Sequence, residues 1–429
     1  MPGAAIETRR RQPLTTFLLR NGALLDPTHP DLLEGFEVLI EDGFIREVSD
    51  KPIKSGSAHV IDVKGKTIMP GLIDLHVHVV AIEFNLPRVA TLPNVLVTLR
   101  AVPIMRAMLR RGFTTVRDAG GAGYPFKQAV ESGLIEGPRL FVSGRALSQT
   151  GGHADPRARS DYMPPDSPCG CCVRVGALGR VADGVDEVRR AVREELQMGA
   201  DQIKIMASGG VASPTDPVGA FGYSEDEIRA IVAEAQGRGT YVLAHAYTAA
   251  AIARAVRCGV RTIEHGNLID DETARLVAEH GAYVVPTLVT YDALASEGEK
   301  YGLPPESIAK VADVHGAGMH SIEIMKRAGV KMGFGTDLLG EAQRLQSDEF
   351  RILAEVLSPA EVIGSATLVG AEVLGMQDKL GRIMPGAHAD VLVVDGNPLK
   401  SVDCLLGQGE HIPLVMKDGR LFVNELERV

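Results

Sequence analysis

Cysteine is scarce, at 5 in 429 residues. Three of the five crowd into Cys169-Gly170-Cys171-Cys172, and an odd count in that spacing cannot make a secreted disulfide framework. Reduced thiols and a cytoplasmic location are therefore expected. The cluster does not read as a structural zinc site either, because such sites pair two separated C-x2–4-C groups and no second group exists. Long apolar runs are also missing: nothing approaches the roughly 18 residues of a membrane-spanning helix, so no membrane partner is expected. Arg9, Arg10 and Arg11 precede the apolar stretch Thr15 to Leu19 and faintly resemble a secretion signal, but Arg20 and Asn21 interrupt it before an h-region can form. Basic blocks are absent as well. The 45 Lys and Arg are outnumbered by 55 Asp and Glu, giving a net charge of -10, which excludes nucleic acid as an expected partner. No internal repeat or low-complexity segment stands out, and 45% hydrophobic with 23% charged residues excludes disorder as the main state.

What is present is a change of pattern along the chain. The first 70 residues read as short strands, with Glu37 to Ile40 and Phe44 to Val48 separated by Asp42-Gly43, a hairpin signal. The end of the chain reads likewise, with apolar runs at Val391 to Val394, Leu414 to Lys417 and Leu421 to Val423 broken by Gly396-Asn397-Pro398 and Asp418-Gly419. Neither end has enough strands for a sheet alone, so residues 1–70 and 381–429 are expected to meet in one small β-sandwich domain.

Between them strands and helices alternate. Candidate strands are Leu72 to His78, Thr114 to Asp118, Arg139 to Ser143, Gln202 to Met206, Tyr241 to His245, Thr262 to His265, Ala282 to Pro286 and Lys331 to Gly335. Helical segments at three- and four-residue apolar spacing separate them, such as Val185 to Met198, Glu225 to Arg238 and Glu272 to His280. Eight such units over residues 71–380 predict an α/β fold, a (β/α)8 TIM barrel, with a doubly wound open sheet as the competitor.

Residues two apart on a strand share a face, so His76 and His78 can reach one metal from the barrel mouth. Alone this is weak evidence: with 12 histidines, H-x-H arises by chance about one time in three. Position strengthens it, because catalytic groups in barrels sit at the C-terminal ends of strands. His245 ends the fifth strand, His265 the sixth, and Asp337 follows the eighth. A packed core histidine explains any one of these, but not the set. The fourth strand ends with Ile203-Lys204-Ile205-Met206, a lysine among apolar neighbours, where a buried ammonium must snorkel, pair with an acid such as Glu264, or be chemically altered. A carbamate formed with CO2 would make it an anionic ligand able to bridge two cations.

His76-Val77-His78 after Met69-Pro70-Gly71-Leu72-Ile73-Asp74, with Lys204, His245, His265 and Asp337, resembles the metal-ligand set of the amidohydrolase superfamily. Gly65 to Gly71 and Gly381 to Asp390 resemble the superfamily's two joints between barrel and β-sandwich. Thr150-Gly151-Gly152-His153-Ala154-Asp155 and His245-Ala246-Tyr247 resemble the imidazolonepropionase-related branch, particularly its prolidase-like metal carboxypeptidases and ochratoxin A-cleaving amidohydrolases. The resemblance implies two divalent ions, with zinc expected, sharing the Lys204 carbamate and a hydroxide. It places His76, His78 and Asp337 on one ion and His245 and His265 on the other, with Asp337 as general acid-base.

The implied reaction is hydrolysis of an amide or peptide bond that releases a C-terminal, hydrophobic amino acid from a small N-acyl amino acid, Xaa-Pro-type dipeptide or ochratoxin A-like amide. Lys204 sets this binuclear reading apart from the runner-up, a mononuclear imidazolonepropionase-like cyclic amidase or deaminase. A non-enzymatic scaffold is a third class, disfavoured because all six ligands are retained. His153, in the long loop Gly144 to Arg180, is a candidate oxyanion donor; an exposed loop histidine is the bland alternative. Tyr247, Tyr223 and Arg88 are candidate substrate-carboxylate contacts, and the apolar loop Val79 to Asn94 a candidate pocket lining; ordinary packing is the alternative for each. The resemblance also implies a homo-oligomer, with an octamer within its range.

Overall fold

The computed structural model describes residues 15–155, 157, 174–213, 216–302 and 305–426. Arg9 to Arg11 and Cys169, Cys171 and Cys172 lie outside the described residues. Within them Cys258 and Cys404 are free thiols, and no helix is long and apolar enough to cross a membrane.

The apolar stretch near the N-terminus is strand, not an h-region: Phe17–Leu24 carries Leu18 and Leu19 fully buried. It pairs antiparallel with Leu33–Glu41, which pairs in turn with Phe44–Ser49. Asp42 and Gly43 have φ of 51° and 84°, the two left-handed residues that a type I′ turn requires. Asp418 and Gly419, at 49° and 71°, make the same turn between Leu414–Lys417 and Arg420–Asn424. The two chain ends join where Thr67–Pro70 runs antiparallel to Val391–Val394, completing one eight-stranded sheet. Its buried face packs Ile40, Ile61, Val63, Val391, Val393 and Leu414 into a cluster distinct from the main core.

Residues between these strands form two parallel sheets. One holds Leu72–Val77, Phe113–Asp118 and Arg139–Val142. The other has seven strands in the order Gly179–Val181, Ala146–Ser148, Ile203–Met206, Val242–Thr248, Thr262–Leu268, Tyr283–Val285 and Lys331–Met332. Backbone hydrogen bonds bridge the two: Leu75 N–H donates to Phe334 O at 2.8 Å and Asp201 N–H to Val142 O at 2.7 Å. Ala146–Ser148 and Gly179–Val181 are additions to the sequence expectation. Three-residue strands inside a Gly- and Arg-rich loop are too short to show a period-2 apolar pattern.

The last strand is shorter than expected, but its chain continues in register, with Gly333 N–H donating to Val284 O at 2.8 Å. Gly335 allows the close approach that follows: a Cβ there would lie 2.3 Å from Val285 Cγ1 and 3.0 Å from His76 Cβ. Helices Gly184–Gln197, Glu225–Gly237 and Asp271–Glu279 lie within a residue of their expected bounds. Ser224 and Glu227 form a reciprocal capping box and Asp270 caps the third of these helices, so both starts are fixed locally.

Candidate metal centre

The parallel strands deliver their C-terminal ends to one place. Nε2 of His76 and of His78 lie 3.4 and 3.2 Å from Asp337 Oδ1, and His265 Nε2 lies 3.9 Å from Oδ2. The rings of His76 and His265 are 5.2 Å apart and those of His245 and His265 4.6 Å. His76, His78 and Asp337 converge with ligand atoms within 4.8 Å of one another, a grouping able to hold a metal ion.

Whether these residues suit a cation is tested by what holds the far side of each ring. His76 Nδ1 is 2.7 Å from Glu264 Oε2, His78 Nδ1 2.7 Å from Gly120 O, and His265 Nδ1 2.8 Å from Thr287 Oγ1. Glu264 Oε2 and Gly120 O accept, so Nδ1 of His76 and of His78 carries the proton and Nε2 presents a lone pair to the centre, the arrangement by which outer groups orient metal-binding imidazoles; the Thr287 hydroxyl can serve His265 Nδ1 as acceptor or donor. His245 is turned the other way, its Nε2 donating to Gly209 O at 3.1 Å and leaving Nδ1 as the free lone pair. Burial, reinforced by nearby cationic groups, pushes the pKa values of His245 and His265 well below the usual range, so both stay neutral and able to ligate. Burial opposes charging of Asp337, but the surrounding histidines outweigh it and hold the carboxylate ionised. The donor set fits a divalent cation.

Lys204 is 1% exposed, and among the described residues no carboxylate lies within ion-pair distance of it. The pairing with Glu264 that would neutralise it is absent because Glu264 is occupied: Arg117 donates to its Oε1 at 2.8 Å, Thr262 Oγ1 donates at 2.6 Å, and His76 takes Oε2. Burial pushes the Lys204 pKa down to about 8.

His153 stacks on His245 at 4.5 Å and lies 3.4 Å from Asp216 Oδ2. Tyr247 stacks on His265 at 5.1 Å. The structure thus brings His153 and Tyr247 to the cluster. It does not bring Tyr223, whose buried hydroxyl has Glu227, Asp183 and Arg180 as charged neighbours, nor Arg88, which is exposed and pairs with Glu83 at 3.2 Å. The reason for Arg88 is local: it sits on the short surface helix Leu86–Val89, which Pro87 and the Asn85 cap set off from the strand end.

Sequence reasoning missed several supporting residues. Asp74 accepts from Thr336 Oγ1 at 2.7 Å and Gln346 Nε2 at 2.9 Å, tying the first strand to the segment that carries Asp337. Asp118 accepts from the backbone of Val79, Gly120 and Ala122 and so shapes the loops beside His78. Asp118 ends its strand and Asp74 lies two residues before His76 on the same strand, which was the available signal. Thr287 and Tyr291 gave none. Among the described residues, three of the seven non-glycine positions with positive φ are His265 at 80°, Thr287 at 53° and Asp337 at 50°. Such strain, notable for a β-branched threonine, persists only where surrounding contacts over-determine it, and it clusters at functional sites.

The buried Arg117–Glu264 pair supports His76 from behind. Arg117→Met should lower unfolding stability by about 3–5 kcal/mol, because it strands a buried carboxylate. Urea unfolding measures this, and a change below about 1 kcal/mol would mean that the remaining partners of Glu264 suffice.

Residues 67–422 match the amidohydrolase family. A crystal structure described as an amidohydrolase is 96% identical and superposes with a TM-score of 0.95, covering 96% of this chain and all of its own. A prolidase crystallised with N-methylphosphonate-L-proline is 59% identical, TM-score 0.92, covering 95% of this chain and 99% of its own. Ochratoxinase of Aspergillus niger is 33% identical over 420 residues, 93% of this chain and 85% of that protein.

Proposed function

Because the chain belongs to the amidohydrolase family, and is therefore a hydrolase of amide or peptide bonds, we propose that it is a binuclear metal-dependent enzyme releasing a C-terminal hydrophobic amino acid from a small amide. The observation that carries this is the convergence of His76, His78 and His265 on Asp337 beside a buried lysine that, among the described residues, no carboxylate reaches at ion-pair distance. In this reading the two parallel sheets close into a (β/α)8 barrel spanning 71–380, and residues 1–70 and 381–429 form the β-sandwich. A homo-oligomer and a cytoplasmic location belong to the same proposal.

His76, His78 and Asp337 would hold one divalent ion, zinc being the first choice, and His245 and His265 the other. The carbamate of Lys204 would be shared between them. Such ions lower the pKa of water toward neutrality and polarise the scissile carbonyl. The protein's own residues do the rest. Asp337 takes a proton from the attacking water and passes it to the leaving amine nitrogen. His153, held by Asp216 and the ring of His245, donates to the carbonyl oxygen as charge develops there. Tyr247 donates to the carboxylate of the leaving amino acid. Phe84 and Val218, partly buried against the packed cluster of Val211, Tyr247, Tyr291 and Leu294, would offer an apolar surface to the hydrophobic half of the substrate.

The relatives support the substrate class: one is named for ochratoxin, and another was crystallised with a ligand containing L-proline. A site built to pair a carboxylate rejects analogues lacking it far more strongly than it rejects a changed methylene. An N-acyl phenylalanine should therefore exceed its C-terminal amide in kcat/KM by about 10²-fold or more. Equal values would remove the carboxylate assignment and leave the metal chemistry standing.

A further inference from the structure

Gly210 and Asp216, from the segment that follows the strand Ile203–Met206, both meet His153. Asp216 Oδ2 accepts from Gly210 N–H at 3.0 Å and lies 3.4 Å from His153 Nδ1. Gly210 approaches the same ring so closely that a Cβ there would stand 2.1 Å from His153 Cε1, which leaves room for glycine alone. His153 is therefore held between Gly210, Asp216 and the ring of His245 stacked 4.5 Å away.

What fixes Gly210 and Asp216 comes from far along the chain. Lys310, on the helix Pro305–Ala328, donates from Nζ to Gly210 O at 3.2 Å, to Ser213 O at 2.7 Å and to Asp216 O at 2.6 Å. An ammonium has three protons and no lone pair, so these three acceptors use all of them. Three carbonyl oxygens turned toward one point repel one another unless a cation stands among them. A compact ammonium with rotatable donors suits that arrangement, whereas the planar fork of arginine does not. Apolar packing joins the same two parts of the chain, since Val211 and Val218 share a cluster with Val311 and Val314 of the helix. The helix supplies none of the six candidate metal ligands, so its lysine reaches the centre only through the residues it holds.

We propose that Lys310 is a positioning residue for His153: its ammonium gathers the carbonyls of Gly210, Ser213 and Asp216 and so fixes the two residues that hold the His153 ring in place. The inference rests on the reading of His153 as the donor to the carbonyl oxygen given above, and extends it to a side chain that acts through Gly210 and Asp216. Without the ammonium the three carbonyls part, and His153 shifts with Asp216 and Gly210. A group that meets charge developing in the transition state contributes more there than in the ground state, so the cost of a misplaced His153 falls on kcat and not on KM.

The test compares Lys310→Met, Lys310→Arg, His153→Ala and the Lys310→Met/His153→Ala double variant as purified holoenzymes on an N-acyl phenylalanine, with Tm and metal content measured against wild type. His153→Ala should lower kcat about 10²-fold. Lys310→Met should lower kcat about 10-fold with KM within about threefold, and Lys310→Arg should fall between it and wild type. The double variant should lose no more than His153→Ala alone, because both act on one donor. Propylammonium added to Lys310→Ala should restore part of the lost kcat saturably, by standing among the three carbonyls. Wild-type kcat in Lys310→Met beside a loss in His153→Ala would overturn the inference and leave the His153 reading intact. Wild-type kcat in His153→Ala would remove that reading and the inference with it. Losses that multiply in the double variant would also overturn it, giving Lys310 an effect independent of His153. Should Lys310→Met not purify folded, the same cycle run with Lys310→Arg decides by the same criteria.

Discussion

Lys204→Ala is expected to lower kcat/KM by more than 10²-fold and to lose bound metal, since outer groups that merely orient ligands already account for about 10–100-fold. The physical basis is the unpaired, buried ammonium. Lowering its pKa from 10.5 to about 8 raises the neutral amine fraction at pH 7 by about 300-fold. Only the neutral amine has the lone pair that forms an N–C bond with CO2, releasing a proton and leaving a carbamate anion. That anion also removes the cost of a buried positive charge that no carboxylate contacts directly, because it would meet cations at the centre. A short carboxylic acid supplied to the alanine variant should partly restore activity by placing a carboxylate in the vacated space. Full activity and full metal content in Lys204→Ala would end the binuclear proposal. One ion per wild-type chain with an unmodified lysine would move the enzyme to the mononuclear deaminase or cyclic amidase class.

The second large effect is expected at Asp337. Asp337→Asn should keep a near-native Tm while kcat falls by about 10² or more, the scale of a lost general acid-base group. The substitution is well suited to the backbone, since asparagine tolerates the left-handed φ of 50° found there. Its carboxamide keeps the shape but cannot take up a proton from water. Three histidines stand within 3.9 Å of the carboxylate, so metal content should be measured beside the rate. Unchanged kcat would assign the proton transfer to another residue.

The further reach of the sequence differs between the two kinds of residue in this site. His76, His78, Lys204, His245, His265 and Asp337 were legible because each falls on one of the alternating parallel strands or in the segment that follows it. The alternation of strand and helix is itself written in apolar spacing and in local signals such as the Ser224–Glu227 capping box. The Asp42-Gly43 and Asp418-Gly419 turns were legible for the same reason, since two consecutive left-handed residues are a local demand. These are properties of a few consecutive residues, and a linear sequence carries them in full.

What the tertiary structure alone decided is which distant groups meet. Glu264 could have paired directly with Lys204; Arg117, on a strand 147 positions away, takes its oxygens instead, and among the described residues the lysine has no carboxylate at ion-pair distance. Arg88 and Tyr223 were candidates beside Tyr247, Tyr223 the weaker of the two tyrosines, yet of the three Tyr247 is the one that stacks on His265. Thr287 and Tyr291 carry no motif, and Asp74 reaches Gln346 across 272 positions. The physical reason is common to all of these. Strand ends are set by short-range propensity, whereas a buried polar side chain takes its partner from the complete folded arrangement, because desolvation forces it to bond with whatever the packing places beside it.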